Sequence, residues 1–264
     1  MPKPPRKIAF VTVSTQHGTL IVNRFDQHIV SQTAGYGVGF QLLEASQYDA
    51  AEVELTLNLL DLRRQHYGDG VIAVDCGANI GVFTVEWAKH MAGWGAVMAF
   101  EAQERIYYAL AGNIAINNCF NARAIHAAVT KEPGTMKIPA PNYFAPSSFG
   151  SLELRQRAGN EFIGQEIDYS EQKMVAVTAT TLDTYQFPRL DLLKVDIEGM
   201  ELEGLAGAAA SVAKHHPIML VEAVKVDKEE LRAWLARHDY TTFDVGMNVL
   251  ALHSADKCLP QVKA

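Results

Sequence analysis

From residue 71 onward, short apolar runs alternate with stretches of helical periodicity, a rhythm that commits a chain to a parallel sheet covered by helices on both faces. VIAVD at 71–75 precedes Phe83, Trp87 and Met91, spaced to share one helix face, and AVMAF at 96–100 precedes Ile106, Leu110 and Ile114. A third strand is expected at 122–129. LLKVD at 192–196 leads into one helix, drawn over 199–213 and carrying Leu202, Leu205, Ala209 and Val212. IMLVE at 218–222 leads into another, opened by an Asp227–Glu230 capping box, and TTFDV with NVLAL reads as a closing hairpin. The pattern predicts an α/β fold with a doubly wound, mostly parallel sheet. Ligands of such sheets sit beyond the carboxyl ends of the strands.

Two regions lie outside this rhythm. Residues 1–48 form an N-terminal extension of strands and loops, a possible lid, in which Gly35, Gly37 and Gly39 of AGYGVGF read as a loop or hinge because they follow no evident strand and open no evident helix. The main domain is drawn over 49–264. An Asp49–Glu52 capping box starts its first helix, with Val53, Leu57 and Leu60 inward, and a Pro-rich loop insertion interrupts it at 131–173. Lys and Arg total 23 against 30 for Asp and Glu, a net charge of -7 that repels phosphate backbones and anionic lipid. Neither a nucleic acid nor a membrane partner is therefore expected, and the oligomeric state is left open. Cys76, Cys119 and Cys258 show no metal-ligand spacing and read as free thiols of a reducing, cytoplasmic compartment.

The chemistry belongs after the strands. Asp75-Cys76-Gly77-Ala78-Asn79-Ile80-Gly81 is a glycine turn feeding a helix, where backbone could approach a ligand and the helix amides receive a polar group. Its GxxxG spacing, with Asn79 where a dinucleotide fingerprint has glycine, argues against a nicotinamide-dependent, NAD(P)-linked oxidoreductase, which stays as the alternative together with a non-catalytic binding protein. Glu101 ends the second strand, where a carboxylate can accept from both hydroxyls of a ribose.

VIAVDCGANIGVFT at 71–84 resembles the first motif of S-adenosylmethionine-dependent methyltransferases, and LLKVDIEGMELEGLAGA at 192–208, preceded by TLD at 181–183, resembles the signature of the FkbM family. The resemblance covers about 65–250. It implies a class I, Rossmann-like fold of seven strands with the last reversed, S-adenosyl-L-methionine as methyl donor, and a small-molecule or glycan hydroxyl as acceptor, hence O-methylation. It further implies that Asp75, Gly77, Ala78, Asn79 and Gly81 border the methionine end, with Phe83 and Thr84 close behind. Glu101 would hold the ribose, with Ala102 beside it where the family often has Pro. His126, Ala127 and Ala128 follow the third strand without an Asp or Asn, which leaves adenine to backbone groups and packing at Ala127. Asp196 would border donor and acceptor.

A hydroxyl acceptor benefits from a base. Asp196 and Glu198, two apart on chain expected to be extended, would point to one side, and Glu222 on the next strand could converge with them; these three are the catalytic candidates. The alternative makes Asp196 the cap and Glu198 the first-turn acid of the following helix. Three carboxylates could also ligate Mg²⁺ or Ca²⁺, but no calcium-loop spacing accompanies them and no metal is expected. Lys194 could pair with an acid but reads as a surface lysine with a buried stem, and Cys76, Trp87 and Trp234 as packed core. Acceptor choice is assigned to 1–48 and 131–173, where Tyr36, Phe40, Tyr143, Phe144, Ser147 and Ser148 could stack on or hydrogen-bond to a sugar.

Overall fold

The computed structural model describes residues 7–31 and 34–262, which fall into two units: residues up to 48 together with 137–175, and 49–136 together with 176 onward.

The smaller unit starts with a hairpin of β1 (Phe10–Thr15) and β2 (Gly18–Asn23), then the short antiparallel pair β3 (His28–Ile29) and β4 (Gly35–Tyr36), then helix α1 (Val38–Ala45). The glycine stretch is therefore not a plain loop: it supplies a strand and opens a helix. The reason is close approach, since a Cβ on Gly39 would lie 2.7 Å from Asp26 Cβ. Asp26 is the hub of this unit. Its Oδ2 accepts from the Gly39 amide (2.9 Å) and its Oδ1 from the Phe149 amide (3.0 Å), joining the N-terminal residues to the inserted segment. Asn23 adds a bond from its Nδ2 to the Tyr143 carbonyl (3.0 Å).

Burial pushes the Asp26 carboxyl from 3.8 to about 6 despite the two amides. The folded state thus binds this proton more tightly than the unfolded chain, so Asp26 adds stability as pH falls from about 6 to about 4 and withdraws it as pH rises. Asp26→Ala is expected to destabilise the protein by about 2–5 kcal/mol, because two buried amides lose their acceptor at about 1–3 kcal/mol each. It should also erase that pH slope. Urea unfolding at pH 5 and pH 7 measures both, and a loss under about 0.5 kcal/mol would reject the hub role.

The larger unit opens with α2 (Ala50–Tyr67) and β5 (Val71–Cys76), then α3 (Val82–His90), β6 (Gly95–Glu101), α4 (Glu104–Ile116) and β7 (Ala122–His126). The expected third strand breaks at Ala127, and β8 (Ala128–Val129) joins another sheet. The chain leaves this unit in β9 (Gly134–Pro139) and returns in β10 (Met174–Thr180), whose end pairs with β8. Then follow β11 (Leu192–Val195), α5 (Glu201–Ala206), α6 (Ala209–His215), β12 (Ile218–Glu222), α7 (Lys228–Arg237), the hairpin β13 (Tyr240–Val245) and β14 (Asn248–His253), and α8 (Leu259–Val262). The seven-stranded sheet runs β13-β14-β12-β11-β5-β6-β7, parallel from β12 to β7, with β14 reversed. This is the doubly wound, mostly parallel sheet anticipated from the apolar runs, and its seven strands with a reversed β14 are those that the resemblance implies. Strand order reverses direction between β5 and β11, which brings their carboxyl ends together at a switch point.

Two local expectations fail for physical reasons. Asp49 sits at φ 42 without a side-chain cap, and Glu52 instead accepts from Asn248 Nδ2 (2.7 Å), so no capping box forms. The single helix over 199–213 is two helices: a Cβ on Gly207 would meet the Thr130 carbonyl at 2.1 Å, and Asp183 starts α6 by accepting from the Ala210 and Ser211 amides (3.0 and 2.7 Å). Asp227 does cap α7, accepting from Glu229 and Glu230. Trp87 is fully buried and donates to Thr56 Oγ1 (2.8 Å), tying α3 to α2. The three cysteines are free and buried, and among the described residues no helix is long and apolar enough to cross a membrane.

Candidate active site

Asp75 is the penultimate residue of β5, buried with its Oδ2 accepting from Thr84 Oγ1 (2.6 Å) and its Oδ1 without a hydrogen-bond partner. Burial raises its carboxyl above the ordinary value, and the charge of Lys194 offsets part of that rise. The turn after it is held down on β6, since the Gly77 and Ala78 amides both donate to the Phe100 carbonyl (3.0 and 2.9 Å). Gly77 has φ 79, and a Cβ there would fall 1.7 Å from the Asp196 carbonyl; one on Gly81 (φ 89) would fall 2.5 Å from Leu110 Cδ1. Gly77 is thus required first by a backbone contact and Gly81 by its left-handed φ. Asn79 takes φ 51, and its Oδ1 accepts from the Ile80 amide (2.7 Å).

Glu101, the last residue of β6, is tied to the same turn. Its Oε2 accepts from the Asn79 amide (3.0 Å) and its Oε1 from the Gln103 amide (2.7 Å), while burial pushes it up to about 7. Ala102 is buried beside it, with its carbonyl 3.0 Å from His126 Nε2, and the His126 ring stacks on Tyr107. The Ala127 amide donates to the Glu101 carbonyl (3.1 Å).

The second half of the site lies at the ends of β11 and β12. Lys194 is buried, not on the surface: its Nζ donates to Asp196 Oδ2 (2.7 Å) and stands 5.0 Å from the Phe83 ring centre. β11 stops at Val195, and the next residues make a tight loop, with Glu198 at φ 57 and Gly199 at φ 88. Glu201 Oε1 closes that loop by accepting from the Ile197 and Gly199 amides (3.1 and 3.0 Å). Asp196 therefore does not cap the helix, and Glu198 is not its first-turn acid; α5 starts at Glu201. The loop, not an extended parity, turns both side chains to one side.

Carboxylate oxygens of Asp196, Glu198 and Glu222 lie within 4.8 Å of one another. Lys225 Nζ pairs with Glu198 Oε2 at 2.6 Å, and Glu222 Oε2 is buried without a hydrogen-bond partner. Burial and then the charge of Asp196 drive Glu198 well above the ordinary carboxylate range. The same causes, with Glu201 adding, push Glu222 to about 8 against the pull of Lys194 and Lys225. Such a group is poised to exchange a proton near neutral pH.

The profile of the methyltransferase FkbM domain matches residues 75–242. The chain belongs to the FkbM methyltransferase family. It is 26% identical over 195 residues to methyltransferase sdnD of Sordaria araneosa, covering 63% of this chain and 75% of that protein. Among solved structures it resembles a methyltransferase FkbM from Methylobacillus flagellatus KT, with TM-score 0.48 and 18% identity over 70% of this chain and 43% of that chain. It also resembles a precorrin-6y C5,15-methyltransferase from Geobacter metallireducens GS-15, with TM-score 0.46 and 14% identity over 80% of this chain and 92% of that one.

In this FkbM methyltransferase the catalytic and cofactor candidates named from the sequence fall inside the matched segment, whereas Tyr36 and Phe40, named for acceptor choice, precede it. The fold gathers Asp75, Thr84, Asn79 and Glu101 about the glycine turn, and Asp196, Glu198 and Glu222 about the β11 and β12 ends. Sequence reasoning missed Lys194, Lys225, Glu52 and Glu201. For Lys194 a signal existed: a lysine inside an otherwise apolar central strand has both neighbours buried and must find an acid. Glu52 offered none, because its Asn248 partner lies far along the chain.

Proposed function

We propose that this methyltransferase uses S-adenosylmethionine to methylate a hydroxyl of a sugar, glycan or other small natural product. The observation that carries the acceptor reading is the convergence of Asp196, Glu198 and Glu222 beside the glycine turn, with one buried glutamate oxygen lacking a partner. The donor reading is supported by the unpartnered Oδ1 of Asp75 and by Glu101, whose two oxygens each hold one amide and keep a further lone pair. Asp75, Gly77, Ala78, Asn79 and Gly81, backed by Phe83 and Thr84, would hold the methionine end. Glu101 would hold the ribose, Ala102 and Ala127 would pack the adenine, and Asp196 would border the methionine end. When bound there, S-adenosylmethionine supplies an electrophilic sulfonium methyl.

The chain's own contribution is alignment and proton transfer. Asp196, tethered by Lys194, orients the acceptor hydroxyl, and Glu222 Oε2 takes its proton. Glu198, paired with Lys225, sets the charge around both. We assign acceptor choice to residues 1–48 and the insertion at 131–173, whose aromatic and hydroxyl side chains could recognise a sugar. The three buried free thiols support a reducing, cytoplasmic compartment.

Calorimetry with S-adenosylmethionine, S-adenosylhomocysteine and NAD tests the donor. Binding of both sulfur ligands is expected, and tight NAD binding without a response to either would overturn the proposal. Because an ionised carboxylate accepts from ribose hydroxyls better than a protonated one, S-adenosylhomocysteine should bind more tightly as pH rises from 6 to 8, through the value of about 7 at Glu101. Glu101→Gln should weaken binding about tenfold or more at pH 8, the loss of one charge-assisted bond, and flatten the profile. An unchanged affinity would place the ribose elsewhere.

A further inference from the structure

Lys194 of β11 stands directly opposite Asp75 on the adjacent parallel strand β5, and Asp196 follows just beyond the end of β11. The lysine between them is nearly sealed from solvent, at 4% exposure. Its surroundings are acidic from several elements: Asp75 on β5, Asp196 after β11, Glu52 on α2 and Glu222 at the end of β12, with Cys76 also on β5. The Phe83 ring of α3 covers the ammonium at 5.0 Å. Burial works against its charge, yet Asp196, Asp75 and Glu52 hold the ammonium above its ordinary value, so it stays protonated throughout the working range of pH. Of these acids Asp196 is its direct hydrogen-bond partner, at 2.7 Å; the others act on it through a low-dielectric interior, where charges are felt at longer range than in water.

We propose that Lys194 is a positioning residue shared by the two halves of the site, a single buried ammonium that holds Asp196 toward the acceptor hydroxyl and balances Asp75 under the donor loop. The proposal rests on the donor reading of Asp75. Its physical content is economy of charge: a buried carboxylate without a cation nearby takes up a proton, and a neutral Asp75 is a weaker acceptor toward a ligand ammonium. The same ammonium fixes Asp196 through its hydrogen bond, so its loss is felt in both halves. A lysine that served packing alone would be felt in neither, except through stability.

The test uses the full chain with S-adenosylhomocysteine as probe, and carboxylate-labelled protein for ¹³C detection. Lys194→Met should weaken S-adenosylhomocysteine binding at least tenfold and move the group that titrates near pH 8 upward by more than one unit, because Glu222 loses a cation that lowers it. Lys194→Arg, which keeps the charge, should leave that titration within a few tenths of a unit. Unchanged affinity, or an unmoved titration, in a folded Lys194→Met protein would overturn the shared role. Should that variant not fold, the wild-type ¹⁵Nζ signal of Lys194 serves instead: it should exchange slowly with water and shift when S-adenosylhomocysteine saturates the site. A signal indifferent to the probe would overturn the proposal. Failure of the wild type to bind S-adenosylhomocysteine would strike the donor reading itself, while the titration arm would still test the link between Lys194 and the carboxylates.

Discussion

Gly77→Ala is expected to cost at least about 4 kcal/mol, the range reached only when a substitution meets something that cannot yield. The new Cβ would stand 1.7 Å from the Asp196 carbonyl, backbone against backbone, with the β5 and β11 ladder fixing both sides. Left-handed φ adds about 1–2 kcal/mol of its own. Gly93→Ala is the control that separates the two contributions, because Gly93 also has positive φ, at 83, while nothing lies within 4 Å of its missing Cβ. The control should lose only the strain. Urea unfolding of both variants gives the comparison, and equal losses would show that the collision is relieved cheaply. A folded fraction of Gly77→Ala should also have lost S-adenosylhomocysteine binding, since the turn can escape only by moving away from Asp196.

Turnover of any acceptor that the enzyme accepts should fall by about 10²–10⁴ in Glu222→Gln, the usual contribution of a positioned base. In the wild type the rate should climb with pH and level off above about 8, where Glu222 becomes ionised. Glu222→Gln should lack that limb. Asp196→Asn should also be slow, but for a different reason and with a different signature: removing a negative neighbour that raises Glu222 moves the limb to lower pH. A pH limb that survives in Glu222→Gln would transfer the base to another group. Because α5 starts at Glu201 and Asp196 makes no cap, a loss in Asp196→Asn cannot be put down to a frayed helix end.

The main frame was legible because buried parallel strands must be apolar along their whole length. VIAVD, AVMAF, LLKVD and IMLVE are each a strand of the central sheet, and the Asp75 to Gly81 turn and Glu101 stand where strand ends put them. Illegible features depend on distant partners. Asp49 and Glu52 have the right types and spacing for a capping box, but Asn248 takes Glu52. The break between α5 and α6 comes from Thr130 pressing on Gly207 and from Asp183 supplying a cap across space. Convergence of Asp196, Glu198 and Glu222 was anticipated on a wrong local geometry: a left-handed Glu198, not extended chain, turns the loop. Glycines 77 and 81 carried a signal whose cause could not be read, since a glycine marks a close neighbour without naming it.

The smaller unit is built from two stretches of chain with residues 49–136 made between them. During synthesis the first stretch leaves the ribosome well before Phe149 exists to meet Asp26, so its hairpin and α1 wait while the first half of the large sheet takes shape. Completion of this unit must then be a late event, timed by the arrival of residue 175 and not by the N-terminus. A nascent chain arrested before that point would expose the unpaired Asp26 side of β2 and α1 to chaperones, and a synonymous change that slows translation across 137–175 would lengthen that exposure without altering a single residue of the finished protein.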